Sequence, residues 1–442
     1  MQAVILAGGK GTRLAERLNG LPKPLVRVGG VPLLERQLAA LEGYGVKSVI
    51  ILVNHAADQI VRFVDERQGG PKVTIIDDGA PRGTAGAVLA CLDQLEPSFL
   101  VVYGDTLFDI DVRHMERFHR AMKADATLLL HPNDHPADSD LVEVGPAGWV
   151  TAFHGYPHPA GTDLRNLVNA AFYICEKSAL QAWRDVPAPL DFAKDLFPRM
   201  LEGGACFAGY SSYEYIKDLG TPKRLDKVER HLADGRVERS SRRHKQPAVF
   251  LDRDGVLNAI ERGQYIRSPD DLVLLDGVEE AVRQLNDAEY RVVLVTNQPV
   301  IARGECDYVG LQRIHARLET ALGRKGGWLD AIYFCPHHPD GGYEGERPDL
   351  KIVCGCRKPA TGMFVQAAED LNIDLDRSWV IGDSTSDIAA ARAMNLPSIL
   401  VMTGEGGREG RFTVEPTLRA RDLAEAVDRL LAEVRQAGMG RT

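Results

Sequence analysis

Two aspartates one residue apart, Asp252 and Asp254, close the apolar stretch Val249-Phe250-Leu251 and are followed by Gly255. An apolar run ending in acidic residues and a glycine reads as a buried strand that enters a tight turn. Two like charges at a strand end repel and lose hydration unless a cation lies between them. The pair therefore predicts a divalent metal site with oxygen ligands, Mg²⁺ above all, in which one carboxylate can serve as a nucleophile. Three later segments extend the pattern. Val292-Val293-Leu294-Val295 closes in Thr296-Asn297, Arg357-Lys358-Pro359 supplies cations, and Val380-Ile381-Gly382-Asp383-Ser384-Thr385-Ser386-Asp387 ends a further strand with two carboxylates.

A second constellation lies between these motifs. Cys335-Pro336-His337-His338 and Cys354-Gly355-Cys356 bring three thiolates and an imidazole in two clips, the donor set of a closed tetrahedral Zn²⁺ site with a structural role. The loop between the clips is rich in Gly, Pro, Asp and Glu, buries no core of its own, and would be pinned by a metal. Because Cys356 adjoins Arg357 and Lys358, the same loop would set those cations, and chelation is expected to cost activity. The other four cysteines, Cys91, Cys175, Cys206 and Cys306, are scattered and read as small buried hydrophobes.

The first half carries a different chemistry. Leu6-Ala7-Gly8-Gly9-Lys10-Gly11-Thr12-Arg13 joins a short apolar strand to a helix, and a glycine-rich turn there brings backbone N–H groups and the helix N-terminus against phosphate. It is neither a Walker loop nor the dinucleotide fingerprint. Pro22-Lys23-Pro24 fixes the backbone of a lysine that can reach the same phosphates. Gly83-Thr84-Ala85-Gly86 opens a helix, Gly104-Asp105 ends a strand, and Asp218 lies before Gly220-Thr221-Pro222. Strands at 48–53, 72–76 and 99–103 alternate with helical stretches near 33–41, 57–65 and 85–95, the alternation of an α/β sheet.

The order and spacing of the later motifs resemble the haloacid-dehalogenase phosphatases. Asp-Arg-Asp-Gly-Val-x-Asn, Thr-Asn-Gln, Cys-Arg-Lys-Pro and Gly-Asp-x-x-x-Asp resemble the branch with heptose 1,7-bisphosphate phosphatase and histidinol-phosphate phosphatase. That resemblance implies Asp252 as nucleophile and Asp254 as general acid and then base. It implies Thr296, Asn297 and Lys358 on the phosphoryl group, Arg303 and Arg357 on substrate phosphate, and Mg²⁺ held by Asp252, Asp383 and the Asp254 carbonyl. Asp387 would hold Lys358 or a metal-bound water. The branch's Cys-x-His pair selects Cys335, His337, Cys354 and Cys356 as the Zn²⁺ ligands.

The first half resembles the sugar-1-phosphate nucleotidyltransferases through 6–14, Pro22-Lys23-Pro24, Gly83-Thr84-Ala85-Gly86, Gly104-Asp105, Asn169-Ala170-Ala171, 194–198 and 218–222. The resemblance implies attack of a sugar phosphate oxygen on the α-phosphorus of a nucleoside triphosphate. Arg13 and Lys23 would hold phosphates. Leu6, Ala7, Gly8, Gly9, Gly11 and Thr12 would line the nucleotide, Gly83 and Thr84 would face its base, and Asp105 with Asp218 would hold Mg²⁺. Asn169 and Lys194 would meet the sugar phosphate. The family's Glu-Lys-Pro is replaced by His154-Gly155-Tyr156-Pro157, and Asn-Ala-Gly by Asn169-Ala170-Ala171; Lys194 and Arg165 are the candidates to replace the missing lysine.

A length of 442 residues predicts two or three domains. The expected division is a nucleotidyltransferase over 1–233, a solvated linker over 234–246 and a phosphatase over 247–435, both domains being doubly wound parallel α/β sheets. A net charge of −9 argues against nucleic-acid partners, the basic cluster 239–245 being read as linker. No targeting segment or membrane-length apolar run is evident, which predicts a cytoplasmic protein whose partners are sugar phosphates and a nucleoside triphosphate; a homo-oligomer is left open. The expected activity is removal of the 7-phosphate from D-glycero-D-manno-heptose 1,7-bisphosphate, then nucleotidyl transfer from GTP to the 1-phosphate. The rivals are a histidinol-phosphate-like phosphatase joined to a uridylyl- or thymidylyltransferase, and a chain with one half reduced to a sugar-nucleotide binding module.

Overall fold

The computed structural model describes residues 1–439 apart from Lys10, Asn19, His55, Pro146 and Arg262. Two compact units emerge. The first comprises Met1–His131, Asp140–Tyr156 and Leu167–His244; the second comprises Lys245 onward together with Pro132–Ser139 and Pro157–Asn166.

In the first unit the strand Gln2–Leu6 is central, because its residues Ala3, Val4 and Ile5 are apolar on both faces and wholly buried. It pairs in parallel with Ser48–Val53 on one side and Ser98–Tyr103 on the other, and Lys72–Asp77 adds a fourth parallel strand. Beyond Ser98–Tyr103 the sheet turns mixed: Val168–Glu176 runs antiparallel to it and to Ala126–His131. The α/β reading holds, with a mixed second part in which Phe207–Ser211 again runs parallel to Ala126–His131. Helices Leu33–Gly43, Ala57–Glu66 and Gly83–Ala90 lie where the apolar periodicity predicts them.

The second unit has six parallel strands in the order Ala331–Cys335, Arg291–Asn297, Ala248–Leu251, Trp379–Gly382, Ser398–Val401, Leu418–Ala420. Numbered along the chain this is 3-2-1-4-5-6. Crossovers leave strands 1 and 4 in opposite directions, so a crevice opens beyond their carboxyl ends. Asp252 follows strand 1 and Asp383 follows strand 4. The four parallel strands of the first unit have the same 3-2-1-4 order, and there the glycine turn follows strand 1 and Gly104-Asp105 follows strand 4.

Three expectations need correction. Residues 234–246 are not a solvated tether: Arg236–Arg239 form a helical turn, Arg243 pairs with Asp109 at 2.7 Å, and Arg242 lies over the Tyr213 ring beside buried Glu214. The basic residues of this stretch thus neutralise carboxylates of the first unit. Arg165 is not available to a sugar phosphate, because the segment carrying it packs in the second unit and its guanidinium pairs with Glu319. Cys91 and Cys175 are buried as expected, but Cys206, in the turn after Gly203-Gly204, is exposed and Cys306 is half-buried.

Candidate active sites

At the crevice of the second unit the cation from Arg357-Lys358-Pro359 meets the carboxylates. Lys358 Nζ lies 3.0 Å from Asp252 Oδ2 and 2.6 Å from Asp387 Oδ1, and donates to the Val295 carbonyl at 2.7 Å. Its backbone is tied to Asn297, whose Oδ1 accepts from Lys358 N at 3.0 Å and whose Nδ2 donates to Lys358 O at 3.2 Å. Asn297 therefore serves as a clamp on the lysine. Burial opposes the ammonium charge, yet Asp252 and Asp387 outweigh it and raise the Lys358 pKa.

Carboxylate oxygens of Asp252, Asp383 and Asp387 all lie within 4.8 Å of one another. Burial first, and then the neighbouring carboxylates, push Asp383 up to about 9 and Asp252 up to about 6. Three crowded carboxylates against one ammonium leave an excess of negative charge, and such a donor set fits a hard divalent cation. The turns around it require glycine. Gly255 has φ +79°, and a Cβ there would come 2.2 Å from Asp383 Oδ2.

Asp254 is held by a different set of partners. Its Oδ1 accepts from Arg253 Nε at 3.0 Å, and its Oδ2 accepts from Arg253 Nη2 at 2.9 Å and Gln298 Nε2 at 3.0 Å. Burial alone would raise its carboxyl, but the guanidinium and these hydrogen bonds hold it below the usual range. Thr296 Oγ1 accepts from the same Gln298 amide at 2.9 Å. Arg303 lies between the rings of Tyr265 and Tyr343, with centroids 4.6 and 4.5 Å away, and Arg357 donates to the His337 carbonyl at 3.3 Å.

The two Cys/His clips converge. Cys356 Sγ is 3.2 Å from both Cys335 Sγ and Cys354 Sγ and 3.3 Å from His337 Nδ1; Cys335 Sγ is 3.6 Å from Cys354 Sγ and from His337 Nδ1. A tetrahedral ion with Zn–S near 2.3 Å sets its sulfurs about 3.8 Å apart, so the cluster needs only slight expansion to hold one. These sulfurs are far from disulfide distance. His338 is turned to the Arg303 guanidinium and the Asp340 N–H, which leaves His337 as the imidazole of the cluster.

In the first unit a cleft of about 300 Å³ is lined by Leu6, Ala7, Gly8, Gly9, Gly11, Lys23, Gly83, Thr84 and Asp105 among others. Lys23 is buried and its ammonium contacts the Asp105 carboxylate. Gly83 has φ +75°, and a Cβ on it would meet the Leu190 carbonyl at 2.5 Å; Thr84 Oγ1 donates to Asp191 Oδ2 at 2.8 Å. Asp218 is not among the lining residues; it ends the strand Tyr215–Asp218, antiparallel to Thr106–Asp109, and the adjoining Leu219 N donates to Asp105 O at 2.8 Å. Burial would raise the Asp218 carboxyl, but Arg224, 2.9 Å away, and the Gly220 N–H bring it down. Arg13 is exposed close to Gly220. Asn169, on the strand Val168–Glu176, and Lys194, exposed on the turn Phe192–Leu196, are not among the residues lining this cleft. Lys10 and the Thr12 side chain lie outside what is described.

Several lining residues carry no motif in the sequence. Asn54, which donates to Asp78 Oδ1 at 2.8 Å, and Arg82 reach the cleft only because four parallel strand ends converge there. Gln298 and Arg253 were visible as motif letters, but their grip on Asp254 depends on side-chain directions that spacing does not carry.

Residues 2–235 match the nucleotidyl transferase family, and residues 355–426 match the HAD-hydrolase-like family. Over 184 residues, 41% of this chain and 97% of the relative, the sequence is 39% identical to a D-glycero-beta-D-manno-heptose-1,7-bisphosphate 7-phosphatase of Pseudomonas aeruginosa. The chain belongs to both the nucleotidyl transferase family and the family of that 7-phosphatase. Solved structures similar to parts of this nucleotidyl transferase and phosphatase chain include HddC from Yersinia pseudotuberculosis, 26% identical over 52% of this chain and 99% of that one, with TM-score 0.45. Another is the D,D-heptose 1,7-bisphosphate phosphatase of B. bronchiseptica, described with magnesium and phosphate, 37% identical over 42% and 99% of the two chains, with TM-score 0.37. Among the described residues no helix is long and apolar enough to cross a membrane.

Proposed function

We propose that this chain is a bifunctional enzyme of heptose activation. Its second unit hydrolyses the 7-phosphate of D-glycero-D-manno-heptose 1,7-bisphosphate, and its first unit transfers GMP from GTP to the resulting heptose 1-phosphate. The observation that carries the reading is the buried Lys358 between Asp252 and Asp387 with Asp383 beside them, a pocket whose charges suit a phosphoryl group and a cation together. Asp252 attacks phosphorus and the bond to the sugar oxygen breaks. Asp254, ionised before substrate arrives, takes up the proton carried in by the phosphate monoanion, gives it to that oxygen, then takes one from the water that displaces phosphate from Asp252. Thr296 and Lys358 hold the phosphoryl oxygens, and Arg303 and Arg357 take the distal phosphate. Asp252, Asp383 and the Asp254 carbonyl would hold Mg²⁺, which supplies charge neutralisation on the phosphate.

In the first unit no covalent intermediate is needed. Lys23 and Arg13 neutralise the triphosphate, Gly8, Gly9 and Gly11 let it approach the backbone, and Asp105 with Asp218 would bind a second Mg²⁺. For Asp218 this requires release from Arg224. Asn169 and Lys194 meet the sugar phosphate as the cleft fills. Cys335, His337, Cys354 and Cys356 would hold a structural Zn²⁺ that fixes Arg357 and Lys358; one zinc per chain by elemental analysis, lost in the Cys356→Ser protein, is the expected result. The deciding experiment supplies the bisphosphate, Mg²⁺ and each of four nucleoside triphosphates. One phosphate per sugar, followed by pyrophosphate with GTP, supports the proposal; preference for histidinol phosphate, or no pyrophosphate with any triphosphate, ends it.

A further inference from the structure

Arg253 is fully buried, yet it is badly placed to stabilise the fold. A guanidinium stripped of water is costly unless every donor is satisfied, and apolar replacement of such groups is often neutral. Here Nη1 has no hydrogen-bond partner among the described residues. What the side chain achieves is geometric. Its Nε and Nη2 grip both oxygens of Asp254, while Nη2 also donates to Gln298 Oε1 at 2.9 Å. That bond fixes the orientation of the Gln298 amide, since a guanidinium can only donate. The Gln298 Nε2 hydrogens are then directed at Asp254 Oδ2 and Thr296 Oγ1. Asp254 is thereby locked at one side-chain angle relative to the threonine at the end of the neighbouring strand.

We propose that Arg253 is a positioning residue that aims the Asp254 carboxyl at the leaving oxygen, an inference that rests on the reading of Asp254 as proton donor. Its planar two-point grip does this, and charge alone does not. Lysine keeps the charge but loses the fork.

The test compares kcat/KM, which reports formation of the aspartyl-phosphate, for two leaving groups. A sugar phosphate leaves as an alkoxide and needs a proton; p-nitrophenyl phosphate leaves as a stable phenolate and does not. In the full chain, Arg253→Lys and Arg253→Met are expected to lower sugar-phosphate kcat/KM by about 10²-fold, the low end of general-acid effects. Their p-nitrophenyl phosphate values should fall by less than about threefold, which also shows that the site is folded. Asp254→Asn is the control and should discriminate at least as strongly. Equal losses on both substrates in the Arg253 variants, with Asp254→Asn still selective, would overturn the proposal and leave the proton-donor reading standing. A non-selective Asp254→Asn sinks both. Should Arg253→Met fail to fold, Arg253→Lys alone decides, since it preserves the buried charge.

Discussion

Lys358 Nζ lies 2.6 Å from Asp387 Oδ1, with both side chains almost entirely out of solvent. Asp387 also accepts from Ser384 N and Oγ, so its carboxylate is itself held in place at the start of the helix Thr385–Ala393. The pair directs the ammonium at Asp252. Removing the cation by Lys358→Met should lower phosphate release by about 10³-fold, the scale of losing a charged transition-state contact. Asp387→Asn keeps the shape and loosens only the aim, for an expected loss of about 10–100-fold. Both should leave pyrophosphate release by the first unit unchanged. Wild-type phosphatase rates in Asp387→Asn would show that the lysine needs no such support.

The raised pKa values of Asp383 and Asp252 set a pH dependence of opposite sign to that of ordinary ion-paired carboxylates. An unfolded aspartate releases its proton near pH 4, whereas Asp383 in the fold keeps it until about 9 and Asp252 until about 6, mainly because of burial. Between those limits the folded state binds more protons than the unfolded state, so stability falls as pH rises. In Mg²⁺-free buffer the second unit should therefore melt at a lower temperature at pH 8 than at pH 5.5. Added Mg²⁺ should stabilise it more at pH 8, where Asp252 has already released its proton and only that of Asp383 must be displaced. Calorimetry of the full chain at the two pH values, with and without Mg²⁺, checks this; a Mg²⁺-free melting temperature that rises with pH would contradict it.

Much of this was readable in the sequence because strand ends mark themselves. Asp252, Thr296, Asp383, Lys23 and Asp105 each adjoin an apolar run or a proline or glycine punctuation, and the topology brings such ends together without further instruction. The role of Arg165 was not readable. Its partner Glu319 lies 154 residues away on the helix Tyr308–Gly323, and nothing in the composition of 157–166 says that this segment packs in the second unit. The basic stretch 239–245 misled for a similar reason, since Asp109 and Glu214 are remote in sequence and only folding shows that they await cations.

Glu319 makes that remote contact measurable. Its side chain is 4% exposed, and Oε2 accepts from the Arg165 guanidinium and from Asn166 N at 3.2 Å. Removing one partner of a buried pair strands the other charge, a loss of about 3–5 kcal/mol when both are fully buried. Arg165 is a quarter exposed, so Arg165→Ala should cost less, about 2 kcal/mol. Adding Glu319→Leu to Arg165→Ala should restore part of it, because no charge is then left unpaired. Denaturant unfolding followed by phosphatase activity separates this unit from the other; additive losses in the double variant would refute the pairing.

Ala171 holds a conformation that suits a smaller residue. It has φ +55°, at the irregularity between Asn169 and Tyr173 where Val168–Glu176 slips register against Ala126–His131. Its N–H donates to Asn169 Oδ1 at 3.2 Å, so the left-handed turn also sets where the Asn169 amide points. A Cβ in that region costs roughly 1 kcal/mol, and glycine removes it at the expense of some added freedom in the unfolded chain. Ala171→Gly should therefore raise the stability of the first unit by up to about 0.5 kcal/mol, a gain of about 1–2 °C in its melting transition. Ala171→Val, which adds β-branching at the same φ, should lower it by more than that gain. Melting of the three proteins side by side decides the matter, and a less stable Ala171→Gly would mean that the register slip is held by the alanine methyl and not strained by it.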